Sequence, residues 1–284
     1  MILSERPWQT ALSETARTVR RLDYDRYLTL VFAPADVRED LATLYAFNLE
    51  IAKTRETVSE ALLGQIRLQW WREAIAGACD GTPRRHEIVQ PLADTIRRNN
   101  LTRVHFDAMI DAREFDLGAE PPATLEQLEF YAFETSSRLV LLALEVCGER
   151  GADAERAGRH VGIAWALIGL LRAARFHAAA KRQYIPSAAM AAAGANTATL
   201  FELRPTAEFR VAVRQVAELA DRHLSLGRDA ARALGRALPA PLLLAPLATW
   251  YLRRIERAGY EVLARPIEAT PLRKQWALLR GRRA

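Results

Sequence analysis

With 284 residues, 50% of them hydrophobic and 26% charged, the chain has an ordinary globular balance that excludes a disordered polypeptide. Two cysteines, Cys79 and Cys147, lie far apart and outside any CxxC, which excludes a disulfide scaffold or a zinc–cysteine site and fits a reducing compartment. The formal net charge of +6 is almost wholly arginine, because Lys53, Lys181 and Lys274 are the only lysines. Beside abundant alanine, that bias reads as coding composition, and no nucleic-acid partner is expected.

The helical period runs nearly throughout. Val37, Leu41, Leu44, Tyr45, Ile51 and Ala52 share one stripe of a 3.6-residue helix, and Asp36 followed by Glu39 has capping-box spacing at its start. Similar patterns predict helices over 62–76, 87–99, 104–117, 125–149, 154–180, 207–234 and 246–263. Breaks fall at Gly81-Thr82-Pro83, at 118–122, near 148–151 and around 194–205. Within the block 58–72, Trp70 and Trp71 read as core packing rather than as a ligand-stacking pair. No convincing alternating strand pattern occurs, so the expectation is one all-α domain: a short N-terminal segment (1–15), a body (16–269) and a basic tail (270–284).

The longest apolar run, from Val161 to Leu171, ends at Arg172, short of the ~20 residues a membrane-spanning helix needs. Glu5 and Glu14, with no apolar core segment, leave no visible secretory signal, so a cytoplasmic protein is expected. The tail interleaves Arg273, Lys274, Arg280, Arg282 and Arg283 with Trp276, Leu278 and Leu279. It suits either a helix packed on the body or a peripheral contact with an anionic membrane, here the inner membrane, or with a partner. Arg17, Arg20 and Arg21 would suit the same peripheral contact. No phosphate loop, dinucleotide fingerprint, nucleophile elbow or HExxH is present, and the five histidines show no metal-ligand spacing.

Two stretches carry a resemblance. Tyr45-Ala46-Phe47-Asn48-Leu49-Glu50-Ile51-Ala52-Lys53-Thr54-Arg55-Glu56 is one; Gly162-Ile163-Ala164-Trp165-Ala166-Leu167 through Arg172, followed by Arg182-Gln183-Tyr184-Ile185-Pro186, is the other. Both resemble the signature regions of the squalene/phytoene synthase family, head-to-head prenyltransferases with the all-α isoprenoid-synthase fold. The resemblance implies a helical barrel in which Mg²⁺ bridges prenyl diphosphates to clustered carboxylates. At the family's acidic positions this chain has Ala52, Lys53 and Glu56 in the first region, and Ala173 and His177 in the second. Ala166 and Gly169 replace other polar positions there. A single acid cannot assemble such a cluster, so no catalytic residues, metal or cofactor are expected.

The block Val58-Ser59-Glu60 and 64–72 resembles the family's non-catalytic branch, which includes complex I assembly factors. The expected function is therefore an assembly or accessory factor, for respiratory complex I, acting on a protein partner. The alternatives are an active prenyltransferase using Mg²⁺, or an isoprenoid- or lipid-binding protein without turnover. The small stripe Ala166-Gly169-Ala173 is expected to let helices close over the ancestral cavity, since an apolar void is costly. Were the cavity open, Lys53, Arg55, Arg172, Arg175, Lys181, Arg182 and Tyr184 are the candidates to hold a phosphate or lipid directly.

Overall fold

The computed structural model describes residues 12–58, 60–235 and 237–281. Glu5, Ser59, Arg282, Arg283 and most of the 1–15 segment therefore lie outside the described residues. No β-strand forms among the described residues, and no helix there is long and apolar enough to cross a membrane.

The chain begins with α1 (Glu14–Leu22) and α2 (Tyr24–Leu30), each started by a short polar side chain that accepts from an otherwise orphaned amide. Ser13 caps Ala16 N at 3.0 Å and Asp23 caps Arg26 N at 3.2 Å. The expected capping box at Asp36 does not form. Helix α3 (Arg38–Ala52) starts after Val37 with no side-chain cap, and Glu39 instead accepts from the Thr15 hydroxyl at 2.5 Å, tying α3 to α1.

There follow α4 (Thr54–Thr57), α5 (Ala61–Cys79), α6 (Val89–Asn99) and α7 (Arg103–Ala112), then a 3-10 turn, Phe115–Leu117. The expected helix over 104–117 thus ends early. The expected helix over 125–149 is three pieces: α8 (Leu125–Ala132), a π-helical segment Phe133–Ser137, and α9 (Arg138–Val146). Such π segments are rare and insert an extra residue into the turn, often beside a site. Helix α10 (Ala152–Arg172) stops at Ala173, and α11 (Ala174–Ala179) restarts at once, splitting what the periodicity joins.

After α12 (Ser187–Ala193) and α13 (Thr197–Phe201) comes the longest helix, α14 (Ala207–Arg232), capped by Thr206 onto Phe209 N at 3.1 Å. A 3-10 turn (Ala240–Leu243), α15 (Leu244–Arg257) and α16 (Pro271–Gly281) complete the order.

Helices α10 and α14 form the principal pairing of the C-terminal half. Their core takes Trp165, Leu167, Leu171, Val213, Val216, Leu243 and Tyr251. A second core, built from residues 16–146 with Ala240, surrounds Phe47, Trp71 and Phe106, whose rings meet edge to face at 5.4 and 5.5 Å. Trp71 is fully buried there, as core packing requires; Trp70 is only half-buried, beside His86 and beneath Arg84.

The two ends of the chain meet at Asp25 of α2. This buried carboxylate accepts from Tyr251 Oη at 2.9 Å and pairs with Lys274 Nζ at 2.8 Å and Arg172 Nη1 at 3.4 Å. Helix α16 is thereby packed on the body through Lys274 and Leu278, while Leu272, Trp276 and Leu279 remain exposed.

Candidate functional site

Helices α3, α4, α10 and α11, the π segment and the Phe115–Leu117 turn enclose a cavity of about 510 Å³, within the ~300–1,000 Å³ of ordinary small-molecule sites. It stands where the two signature regions converge: Asn48, Ala52 and Glu56 of the first face Ala166, Gly169 and His177 of the second. The expected closure therefore does not occur. The small residues line the cavity instead of letting α10 pack against a neighbour, and a Cβ added at Gly169 would find open space. Ala173 does not line the cavity; it sits at the break between α10 and α11.

The basic candidates divide. Arg55, Arg182 and Tyr184 line the cavity. Lys53 does not: it pairs with Glu50, which also holds Arg67. Nor does Arg172, which is spent on Asp25, on the Ile267 carbonyl at 3.2 Å and on the face of Tyr251, 3.6 Å from the ring centre. Arg175 donates to the Leu263 carbonyl at 2.5 Å and Lys181 to the Phe201 carbonyl at the end of α13 at 2.9 Å, so both are engaged outside the cavity.

The centre of the polar wall is a residue that motif reading misses, Asp116. The Phe115–Leu117 turn buries it, and it accepts from Tyr184 Oη at 2.7 Å, Tyr131 Oη at 2.8 Å and Arg113 Nη1 at 3.2 Å. Arg182 donates to the main-chain carbonyls of Asp116 and Gly118, clamping the same turn. Burial, with the neighbouring Asp116 charge, raises both phenols well above the ordinary tyrosine range, so both remain protonated donors. His177 packs against Tyr184 with the rings tilted at 57° and their centres 4.6 Å apart, and burial lowers its pKa to about 4. At neutral pH it is an uncharged ring, not an anion anchor. The sequence does hold one faint signal for this cluster: an aspartate between Phe115 and Leu117, three residues after Arg113, is an acid set in an apolar step.

The opposite polar wall is under-used. Arg26 is buried and paired with Asp23 at 2.5 Å, yet its Nε has no partner, and neither do Asn48 Oδ1 and Ser136 Oγ. Buried polar atoms left in this state cost about 1–3 kcal/mol each, and all three residues border the cavity.

The donor set does not suit the Mg²⁺ cluster that the resemblance implies. Asp116 is consumed by two phenols and a guanidinium, leaving Glu56 as the other acid on the wall, with Arg55 beside it. Among the described residues no three histidine, cysteine or acidic side chains converge where they could hold a metal ion. A hard dication needs several oxygen ligands with its waters, and one free carboxylate supplies too few.

The squalene/phytoene synthase family model matches residues 19–277. The chain is 30% identical over 245 residues to NADH dehydrogenase (ubiquinone) complex I, assembly factor 6 of Rattus norvegicus, covering 86% of this chain and 73% of that protein. It is 27% identical over 162 residues to presqualene diphosphate synthase of Rhodopseudomonas palustris, covering 57% of each. A squalene synthase from Alicyclobacillus acidocaldarius has the same fold, with a TM-score of 0.75 at 20% identity over 87% of this chain and 94% of that one. The chain belongs to the squalene/phytoene synthase family.

Proposed function

We infer that this chain is a non-catalytic squalene/phytoene synthase-like protein, an assembly or accessory factor for respiratory complex I that acts through a protein partner. The observation that carries the first half is the cavity wall: Ala52, Ala166 and Gly169 line an open cavity whose one central carboxylate, Asp116, is already saturated. Supporting the second half is the match to the rat protein across most of both chains, that protein being named for complex I assembly. The proposed setting is the cytoplasm, with a peripheral contact at the inner membrane and no metal or organic cofactor.

One observation favours a second reading, in which the cavity holds an isoprenoid or lipid phosphate without turning it over. The unpartnered Arg26 Nε, Asn48 Oδ1 and Ser136 Oγ, with Arg55 and Arg182 lining the same cavity, offer donors and acceptors that a polar ligand group would satisfy.

Purified protein with farnesyl or geranylgeranyl diphosphate and Mg²⁺ or Mn²⁺ should give no condensed product while an active synthase run alongside does. Deleting the gene should lower assembled complex I, and the wild-type chain should restore it. Metal-dependent product, or intact complex I after deletion, overturns the reading. Saturable binding of farnesyl diphosphate without metal, absent in Arg26→Met, would support the second reading.

A further inference from the structure

A second cavity, of about 580 Å³, opens between α10, α14, α15 and α16 and shares no lining residue with the first. Its floor is apolar, with Val161, Leu242, Ala245 and Ala277 among the contributors. Five arginines rim it: Arg228 and Arg232 one turn apart on α14, Arg253 and Arg257 one turn apart on α15, and Arg280 near the end of α16. No carboxylate lines it. Arg232 is exposed and pairs with Asp229 at 2.6 Å, whereas Arg228, Arg253, Arg257 and Arg280 make no ion pair among the described residues. A helix C-terminus welcomes one cation in its last turn. It does not account for four unpaired guanidinium groups from three helices around one apolar groove, where they repel one another unless an anion enters.

The adjoining face of α16 supplies the other half. Leu272, Trp276 and Leu279 are 71%, 64% and 59% exposed. At 3.6 residues per turn they fall on one narrow stripe, and Ala277 and Arg280, which line the groove, lie on the neighbouring face of the same helix. An apolar stripe with tryptophan beside unpaired arginines is the composition that settles at a bilayer's headgroup boundary. We propose that the groove between α14, α15 and α16 receives the phosphate of an acidic phospholipid while Leu272, Trp276 and Leu279 enter the same bilayer surface. This rests on the peripheral membrane contact proposed above and deepens it, naming the surface and the lipid chemistry.

The test is flotation of the full chain with phosphatidylcholine vesicles, with and without phosphatidylglycerol. Wild type should float with the acidic vesicles in a salt-sensitive manner and hardly at all with the neutral ones. The double charge reversal R253E/R257E, on exposed side chains, should weaken acidic-vesicle binding about tenfold or more, as expected for basic groups worth about 1 kcal/mol each at such a surface. Trp276→Ser should weaken it and abolish a blue shift of tryptophan emission. The control R97E/R103E, on exposed side chains of α6 and α7, changes net charge equally and should bind as wild type does; an equal loss there would mean net charge alone drives binding and would overturn the site. If wild type fails to bind acidic vesicles, groove and membrane contact fall together. If it binds and R253E/R257E binds equally well, the groove falls and the membrane contact stands. If R253E/R257E loses complex I in cells yet keeps vesicle binding, the surface docks an acidic protein, and the lipid proposal is wrong.

Discussion

The same substitution at two positions of α10 should have opposite signs. Gly162 crosses the π segment so closely that an added Cβ would stand 2.6 Å from Ser137 Oγ and 2.7 Å from Ser137 N, with the Ser137 Cα nearer still. Two of these are backbone atoms, and the hydroxyl is itself held on the Arg159 carbonyl at 2.6 Å, so they cannot rotate away. Forcing a methyl into a packed crossing costs about 1–3 kcal/mol, and a backbone obstacle belongs at the upper end. Replacing glycine within a helix returns about 1 kcal/mol. Gly162→Ala should therefore lose about 2 kcal/mol net, or about 4–8 °C in Tm at ~2–4 °C per kcal/mol. Gly169, two turns further on, meets nothing within 4 Å because it faces the cavity, so Gly169→Ala should keep the propensity gain and melt slightly higher. Urea titration and calorimetry of both variants measure the difference. Equal stability for Gly162→Ala and wild type would refute the close crossing; a loss in Gly169→Ala would refute the open cavity.

Three further outcomes are expected. Asp116→Ala strips the counter-charge from half-buried Arg113 and a partner from two phenols, and should cost about 3–5 kcal/mol by denaturant titration; a loss under half of that would mean that water reaches the turn. Because burial lowers His177 from 6.5 to about 4, its contribution to stability is complete above pH 6.5 and is lost as pH falls from there towards 4. His177→Gln should flatten that part of the stability profile, and an NMR titration of His177 centred near 6.5 would contradict the burial. Lys274→Met removes one of two cations from Asp25 and should cost about 1.5–3 kcal/mol, with faster proteolysis within α16; an unchanged cleavage rate would show that Leu278 alone holds the helix.

The helical architecture was legible because a repeat of apolar residues such as Leu41, Leu44 and Tyr45 survives any tertiary context that buries one face. Interruptions were not. The π segment at Phe133–Ser137 and the break at Ala173 leave the apolar period intact and alter only the backbone hydrogen-bond pattern. Glu39 had the right spacing for a capping box, but Thr15, 24 residues away, offered it a better donor. At the site, the two signature regions converge on the cavity, since Asn48, Ala52, Glu56, Ala166, Gly169 and His177 all line it. Its state was misjudged, because small side chains permit either closure or an opening and local sequence does not choose. The arginines were harder still: Arg55 and Arg172 look alike in the chain, yet one faces the cavity and the other is drawn to Asp25, 147 positions earlier. Asp116 belonged to neither signature region, and only folding brings Tyr131 and Tyr184 to it.

The junction at Asp25 also bears on how the protein is made. The core around Phe47 and Trp71 draws on residues 16–146 with Ala240, so nearly all of it has been synthesised by the time α10 begins. Asp25 leaves the ribosome among the first elements but waits for Arg172, then Tyr251, and last Lys274. The early half can thus consolidate during translation, as N-terminal units generally do, while Asp25 lacks its full set of partners until α16 has been made. A ribosome stalled just short of α16 would release a chain with its first core built and its closing clasp missing, a ready substrate for quality-control proteases.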